Sequence, residues 1–177
     1  MAEGIMDKNS PNYDAVIAGK EAYLNLPFWW GRIIVMMGVW IAFTYIFRRK
    51  SLAQDFAAAG VTGYKKNMVL AAIYLVFFGY SSVVASWDWL MSIDAHWFST
   101  LYGWYVFSGM WIGGMIVVFL ITNYLMSNGY LKEVNASHIH DLGKFIFGVS
   151  FLWTYLFFSQ FMLIWYANIP EEVTYFV

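Results

Sequence analysis

Residues 101–126 read LYGWYVFSGMWIGGMIVVFLITNYLM, an apolar run with no charged side chain. About 20 such residues, rising 1.5 Å each as a helix, cross the roughly 30 Å hydrocarbon core of a bilayer. In lipid only helices and closed barrels satisfy every backbone hydrogen bond. A barrel strand would alternate apolar and polar residues, and this run is continuous, so it reads as a membrane-spanning helix. Three further runs of the same kind lie at 27–47, 68–86 and 145–165. The chain is therefore expected to be all-α: a polytopic transmembrane helix bundle of about four spans. These form a single transmembrane domain over 1–177, with a polar surface segment at 1–24.

The composition supports this reading. Of 177 residues, 61% are apolar and 12% charged, against about 45–50% and 25% in ordinary soluble domains. Mean hydropathy is +0.57. A net charge of −1 excludes a broadly basic nucleic-acid binder. With no cysteine, the chain holds no disulfide, ligates no iron–sulfur cluster and attaches no haem covalently. It is expected to bind no cofactor and no metal of its own.

Local signals mark the ends of the spans. Asn25 caps the first helix, with Pro27 in its first turn. Arg48, Arg49 and Lys50 close it, where cations suit the helix dipole. A basic leader followed by a short apolar core is missing at the N-terminus. Asn168, Pro170, Glu171 and Glu172 read as the start of another helix, expected either to be a short surface helix or to belong to a longer protein. Gly109-x-x-x-Gly113 reads as a packing motif.

Basic residues orient the spans. Arg48, Arg49, Lys50, Lys65 and Lys66 separate the first two, and Lys132 and Lys144 lie between the last two. The segment 87–100 and the tail after Trp165 carry no Lys or Arg. The positive-inside rule then places the basic loops in the cytoplasm and both termini of the chain in the periplasm of a bacterial inner membrane. Seven of the ten Trp (Trp29, Trp30, Trp87, Trp89, Trp97, Trp104 and Trp165) fall near that outer face. This one-sided belt is expected to meet a partner domain as well as lipid headgroups.

Three groups of residues bear on chemistry. On the fourth span, Asp141, Lys144, Gly148, Tyr155, Ser159 and Tyr166 recur at helical spacing and share a face. Such a stripe lines a proton path or packs against another helix. As a path it would take protons in at His140, Asp141 and Lys144, pass them by Tyr155 and Ser159, and release them at Glu171 and Glu172. Near the outer face, the acids Asp88 and Asp94 with His96, among Trp87, Trp89 and Trp97, offer carboxylate, imidazole and aromatic walls, with Asp94, His96 and Trp97 as the leading candidates. A quinol headgroup needs these three kinds of group; a capped interfacial loop is the alternative. Arg32, some 7–8 Å into the first span, either snorkels outward or pairs with Glu21 or the outer acids.

Four segments carry a family resemblance. They are Lys20 to Phe28 (KEAYLNLPF), Leu90 to Thr100 (LMSIDAHWFST), His140 to Lys144 (HDLGK) and Leu163 to Glu172 (LIWYANIPEE). Together they resemble the second polysulfide-reductase/NrfD-like membrane subunit of bacterial alternative complex III. The resemblance spans roughly 20–177, and the family subunit has more helices than the four read here. It implies membership of a complex that oxidises menaquinol and passes electrons to a cytochrome c or a terminal oxidase. Haem c and iron–sulfur clusters would sit in partner subunits, beside an NrfD-like paralogue. This chain would support quinol oxidation and proton translocation without a redox centre. Two other readings are a purely structural scaffold and a transporter fragment. The latter lacks the paired Gly/Pro-interrupted helices of many transporters.

Overall fold

A computed structural model of the chain describes residues 11, 13–56, 61–168 and 173. Helices account for nearly all of them: α1 (Ala15–Gly19), α2 (Glu21–Leu24), α3 (Leu26–Asp55), α4 (Val61–Trp89), α5 (Thr100–Ser127) and α6 (Ala136–Ala167), with a 3-10 turn at Met91–Ile93. No strand occurs among the described residues. Helices α3, α4, α5 and α6 are each long and apolar enough to cross a membrane. The protein is thus an all-α, multi-pass membrane protein.

The caps show why the helices begin and end where they do. The Asn25 side chain accepts the Phe28 N–H at 2.9 Å and opens α3 with Pro27 in its first turn. Helix α3 runs on past Arg48, Arg49 and Lys50 to Asp55, so the basic cluster marks the edge of the apolar run and not the end of the helix. Lys, Arg, Leu, Ala and Gln are all good helix formers, and nothing between 48 and 55 breaks the pattern. Helix α6 likewise starts at Ala136, well before the expected 145. The Asn135 side chain accepts from the Ser137 and His138 N–H groups, and His138 Nδ1 accepts the Asn135 N–H in return. This reciprocal capping box extends the helix into polar sequence. Helix α5 ends in a Schellman motif: Tyr130 N–H bonds the Leu125 carbonyl and Gly129 N–H the Met126 carbonyl. Gly129 has φ +79°, a backbone conformation that suits glycine.

The chain divides into two compact units, Met1–His96 and Trp97–Val177. In the first, α3 and α4 pack antiparallel. The pairs Arg32 with Asp88, Trp40 with Ser81, and Phe43 and Phe47 with Tyr74 set the register. A ladder of rings follows the seam: Trp40, Phe43, Phe47, Tyr74 and Phe78 stand 4.9–6.1 Å apart. Towards the end of α4, Ser81, Ser82 and Ser86 are buried. Each hydroxyl donates to the carbonyl three residues back, so these small polar side chains are satisfied within their own helix and let α3 approach closely.

In the second unit α5 and α6 form an antiparallel hairpin. Tyr105 stacks on Trp153 at 5.4 Å and packs near Phe157 at 5.9 Å. Gly109 faces Trp153: a Cβ there would sit 3.3 Å from the indole Nε1. The first glycine of the Gly109-x-x-x-Gly113 motif thus serves close packing, whereas Gly113 and Gly114 face open space. Ser108 is fully buried, its hydroxyl donating to the Tyr105 carbonyl at 2.8 Å.

Candidate functional site

The only fully buried carboxylate among the described residues is Asp88, one residue before the end of α4. Its partner is Arg32, about 9 Å along α3 from Leu26. Arg32 Nε donates to Asp88 Oδ2 at 2.7 Å and Nη2 to Oδ1 at 2.9 Å. The two parallel bonds match the planar guanidinium fork to the carboxylate. Nη1 donates to the Tyr23 carbonyl at 3.0 Å. The guanidinium carbon lies 4.0 Å from the centre of the Tyr23 ring and 4.4 Å from that of Phe28, so two aromatic faces cover the cation. The Asp88 backbone is held as well: its carbonyl accepts from Trp29 Nε1 at 3.2 Å and from the Ser92 hydroxyl at 2.5 Å.

The sequence dictates this arrangement locally. The cap at Asn25 sets the start of α3 and therefore the height of Arg32. The short α2 turn brings Tyr23 back over it. The serine-rich end of α4 lets the two helices close around the pair. Inside a span an unpaired charge is costly, and a paired one is a default candidate for function.

Beside the pair runs a groove of about 580 Å³ between α2, α3 and α4. Arg32, Tyr23, Phe28, Gly31, Phe77, Tyr80 and Trp87 are among its lining residues. Its walls are almost wholly apolar and aromatic, with the guanidinium at one end. Gly31 leaves open space where a side chain would stand. Tyr23 lies just before the span, and its phenol is pushed up to about 12, chiefly by burial and then by the neighbouring Asp88 carboxylate. At neutral pH it is therefore a hydrogen-bond donor.

The residues singled out from the sequence are placed as follows. The Asp94 carboxylate accepts the His96 N–H at 3.1 Å. The His96 ring pairs with Asp14 at 2.5 Å, and Lys20 bonds the Ala95 carbonyl. These contacts tie the loop after α4 to the N-terminal segment. Trp97 is buried in the second unit, edge-on to Tyr102 at 5.1 Å. None of Asp94, His96 and Trp97 lines the α3–α4 groove. The hydrogen bond from His96, aided by those from the Ile17 and Val16 N–H groups, holds the Asp14 carboxyl below its ordinary value against the opposing effect of desolvation.

The α6 stripe stands on the face turned away from α5. Val149, Gln160 and Ile164 are the buried residues of that helix, whereas Tyr155 and Tyr166 are 59% and 85% exposed. His140 is exposed, and Asp141 and Lys144 form an exposed pair at 3.4 Å. Ser159 is half-buried. Glu171 and Glu172 lie outside the described residues. Sequence reasoning missed the groove. It named Arg32 and the outer acids, but the ring pair Tyr23 and Phe28 over the guanidinium had no periodic signal. Among the described residues no group of three or more His, Asp or Glu side chains could hold a metal ion. Comparison with protein-family models and with curated proteins finds no match.

Proposed function

We propose that this chain is an integral membrane subunit of a quinol-oxidising respiratory electron-transfer complex of the alternative complex III type. It has no redox centre of its own. Electrons pass through haem c and iron–sulfur clusters in periplasmic partner subunits, beside an NrfD-like paralogue and a terminal oxidase. The membrane is the bacterial inner membrane, with both termini of the chain on the periplasmic side.

The observation that carries the reading is the buried Arg32–Asp88 pair at the end of an aromatic groove open within the span. A flat, mostly apolar ring with two oxygens, such as menaquinol, suits such walls. The guanidinium of Arg32 is a donor for an oxygen of that ring, and Tyr23, whose phenol bonds the Asp88 carboxylate, helps to hold the pair in place. Asp88, behind Arg32, balances the charge. Protons would leave by the outer acids or travel along the α6 stripe, which faces away from α5 and is open to water or a neighbouring helix.

The same exposure favours a second reading, a scaffold without chemistry. Between 6% and 22% of each span is buried within the chain, so most of each helix meets lipid or other subunits. Purification in mild detergent decides between them. Co-purifying c-type haem and iron–sulfur subunits, a reduced-minus-oxidised haem spectrum and quinol oxidation that falls in Y23F and R32K support the first reading. A colourless preparation without redox partners overturns it. A coloured, active complex indifferent to both substitutions and to D141N leaves the scaffold.

A further inference from the structure

The charges of this chain are unevenly placed. Its net charge is −1, yet residues 48–66 hold five of its ten cations, Arg48, Arg49, Lys50, Lys65 and Lys66, against one acid, Asp55. Arg48, Arg49, Lys65 and Lys66 are exposed and Lys50 is half-buried. Among the described side chains, none of the five meets a carboxylate in an ion pair.

The fold of the first unit gathers these cations at one end of the α3–α4 hairpin. The Phe47 and Tyr74 rings stand 5.7 Å apart across the seam. Further along, the Gln54 side chain lies 3.1 Å from where a Cβ on Gly63 would be. The cations fall between these two crossing points, 48–50 on α3 and 65–66 on α4. Lys50 is three positions after Phe47 and four before Gln54, and Lys66 is three after Gly63, so both stand beside the seam. Five like charges held together repel one another, and an anion shared among them relieves that repulsion.

Their height identifies the source of the anion. The apolar run of α3 ends at Phe47, and that of α4 begins at Met68. At 1.5 Å per residue, all five cations lie within about 5 Å of the edge of these runs, where the headgroups begin. Exposed apolar side chains stand one turn inward on the same faces. Tyr45 and Ile46 lie four and three positions before Arg49, and Met68 and Val69 three and four after Lys65; all four are exposed. An acidic protein segment would match the cations and leave this apolar strip unused. A phospholipid matches both.

We propose that the basic end of the α3–α4 hairpin is a site for anionic phospholipid: the headgroup phosphate lies among Arg48, Arg49, Lys50, Lys65 and Lys66, and the acyl chains lie along Tyr45, Ile46, Met68 and Val69. The site depends on the membrane-spanning fold and not on the quinol reading, so the two fail separately.

Native mass spectrometry of the full chain, released from bilayers of equal phosphatidylglycerol and phosphatidylethanolamine with the same acyl chains, tests it. A cation near an anionic lipid surface is worth about fivefold in affinity. The wild-type chain is therefore expected to carry phosphatidylglycerol enriched at least about fivefold over phosphatidylethanolamine, a comparison that needs no variant. In R48Q/R49Q/K65Q/K66Q the bound lipids are expected to return to the bilayer ratio. K132Q, which removes a cation outside the hairpin, is expected to keep the enrichment. Equal amounts of the two lipids on the wild-type chain would overturn the proposal. So would an enrichment that survives the fourfold substitution or is lost equally in K132Q. Retention of glycerophosphoglycerol, the same headgroup without acyl chains, as strongly as the lipid would also overturn it, because the site would then be one for a free anion.

Discussion

Arg32 and Asp88, on two different helices, meet through two parallel bonds of 2.7 and 2.9 Å, with the arginine side chain 13% exposed and the aspartate side chain fully buried. Removing one partner leaves the other charge buried and uncompensated. Substitution D88N is therefore expected to cost about 3–5 kcal/mol, read as a lowered denaturation midpoint in detergent. R32K keeps the charge but loses the fork, and is expected to fall between D88N and wild type. Equal stability of wild type and D88N would show that the pair is not formed.

Tyr23 titrates late. Its phenol is pushed up to about 12 from 10.0, so the folded state resists its ionisation. The unfolded chain ionises first, and stability is expected to fall as pH rises from 10.0 towards about 12. In Y23F this part of the alkaline loss disappears. Ultraviolet titration of tyrosinate absorbance, paired with unfolding at each pH, checks both statements.

Asp14 behaves in the opposite sense. Its carboxyl is held below 3.8, first by the hydrogen bond from His96. Its contribution is complete above 3.8 and is lost as pH falls through the lower native value. D14N is expected to loosen the N-terminal segment at neutral pH and to make no difference in strong acid. Amide hydrogen exchange at Val16 and Ile17, whose N–H groups Asp14 accepts, reads this directly.

Gly109 and Gly113 are predicted to part company although they share a motif. At Gly109 a side chain runs into the Trp153 indole, whereas at Gly113 it meets open space. G109L is expected to destabilise the hairpin by about 1–3 kcal/mol. G113A is expected to be neutral or to gain up to about 1 kcal/mol of helix propensity in the isolated chain. If G113A alone is harmful inside a larger assembly, a neighbouring helix packs there.

Asp141 and Lys144 form an exposed pair of a kind worth about 0–1 kcal/mol. D141N should therefore change stability little. Under the proposed function, proton uptake by the complex in vesicles, measured in D141N, then reports function uncoupled from folding. Unchanged uptake would remove Asp141 from the proton path.

The four spans were readable from residue order because hydrocarbon thickness sets a length, and a continuous apolar run of that length is a local property. The cap at Asn25 was equally local, since the residues that satisfy it are three positions apart. Helix ends elsewhere were less legible. Past Arg48 and before Phe145 the helices continue into polar sequence, where apolar content falls but helix propensity and the Asn135–His138 capping box persist. The partner of Arg32 lay beyond any local rule. It is 56 positions away, and Glu21 and Asp94 were equally acceptable by charge. The antiparallel packing of α3 on α4 selected Asp88, because that packing alone sets which residues share a height in the bundle. The same holds for Gln160: as letters it is one polar residue in an apolar run, and only the closure of α6 on the start of α5 buries its amide without a partner.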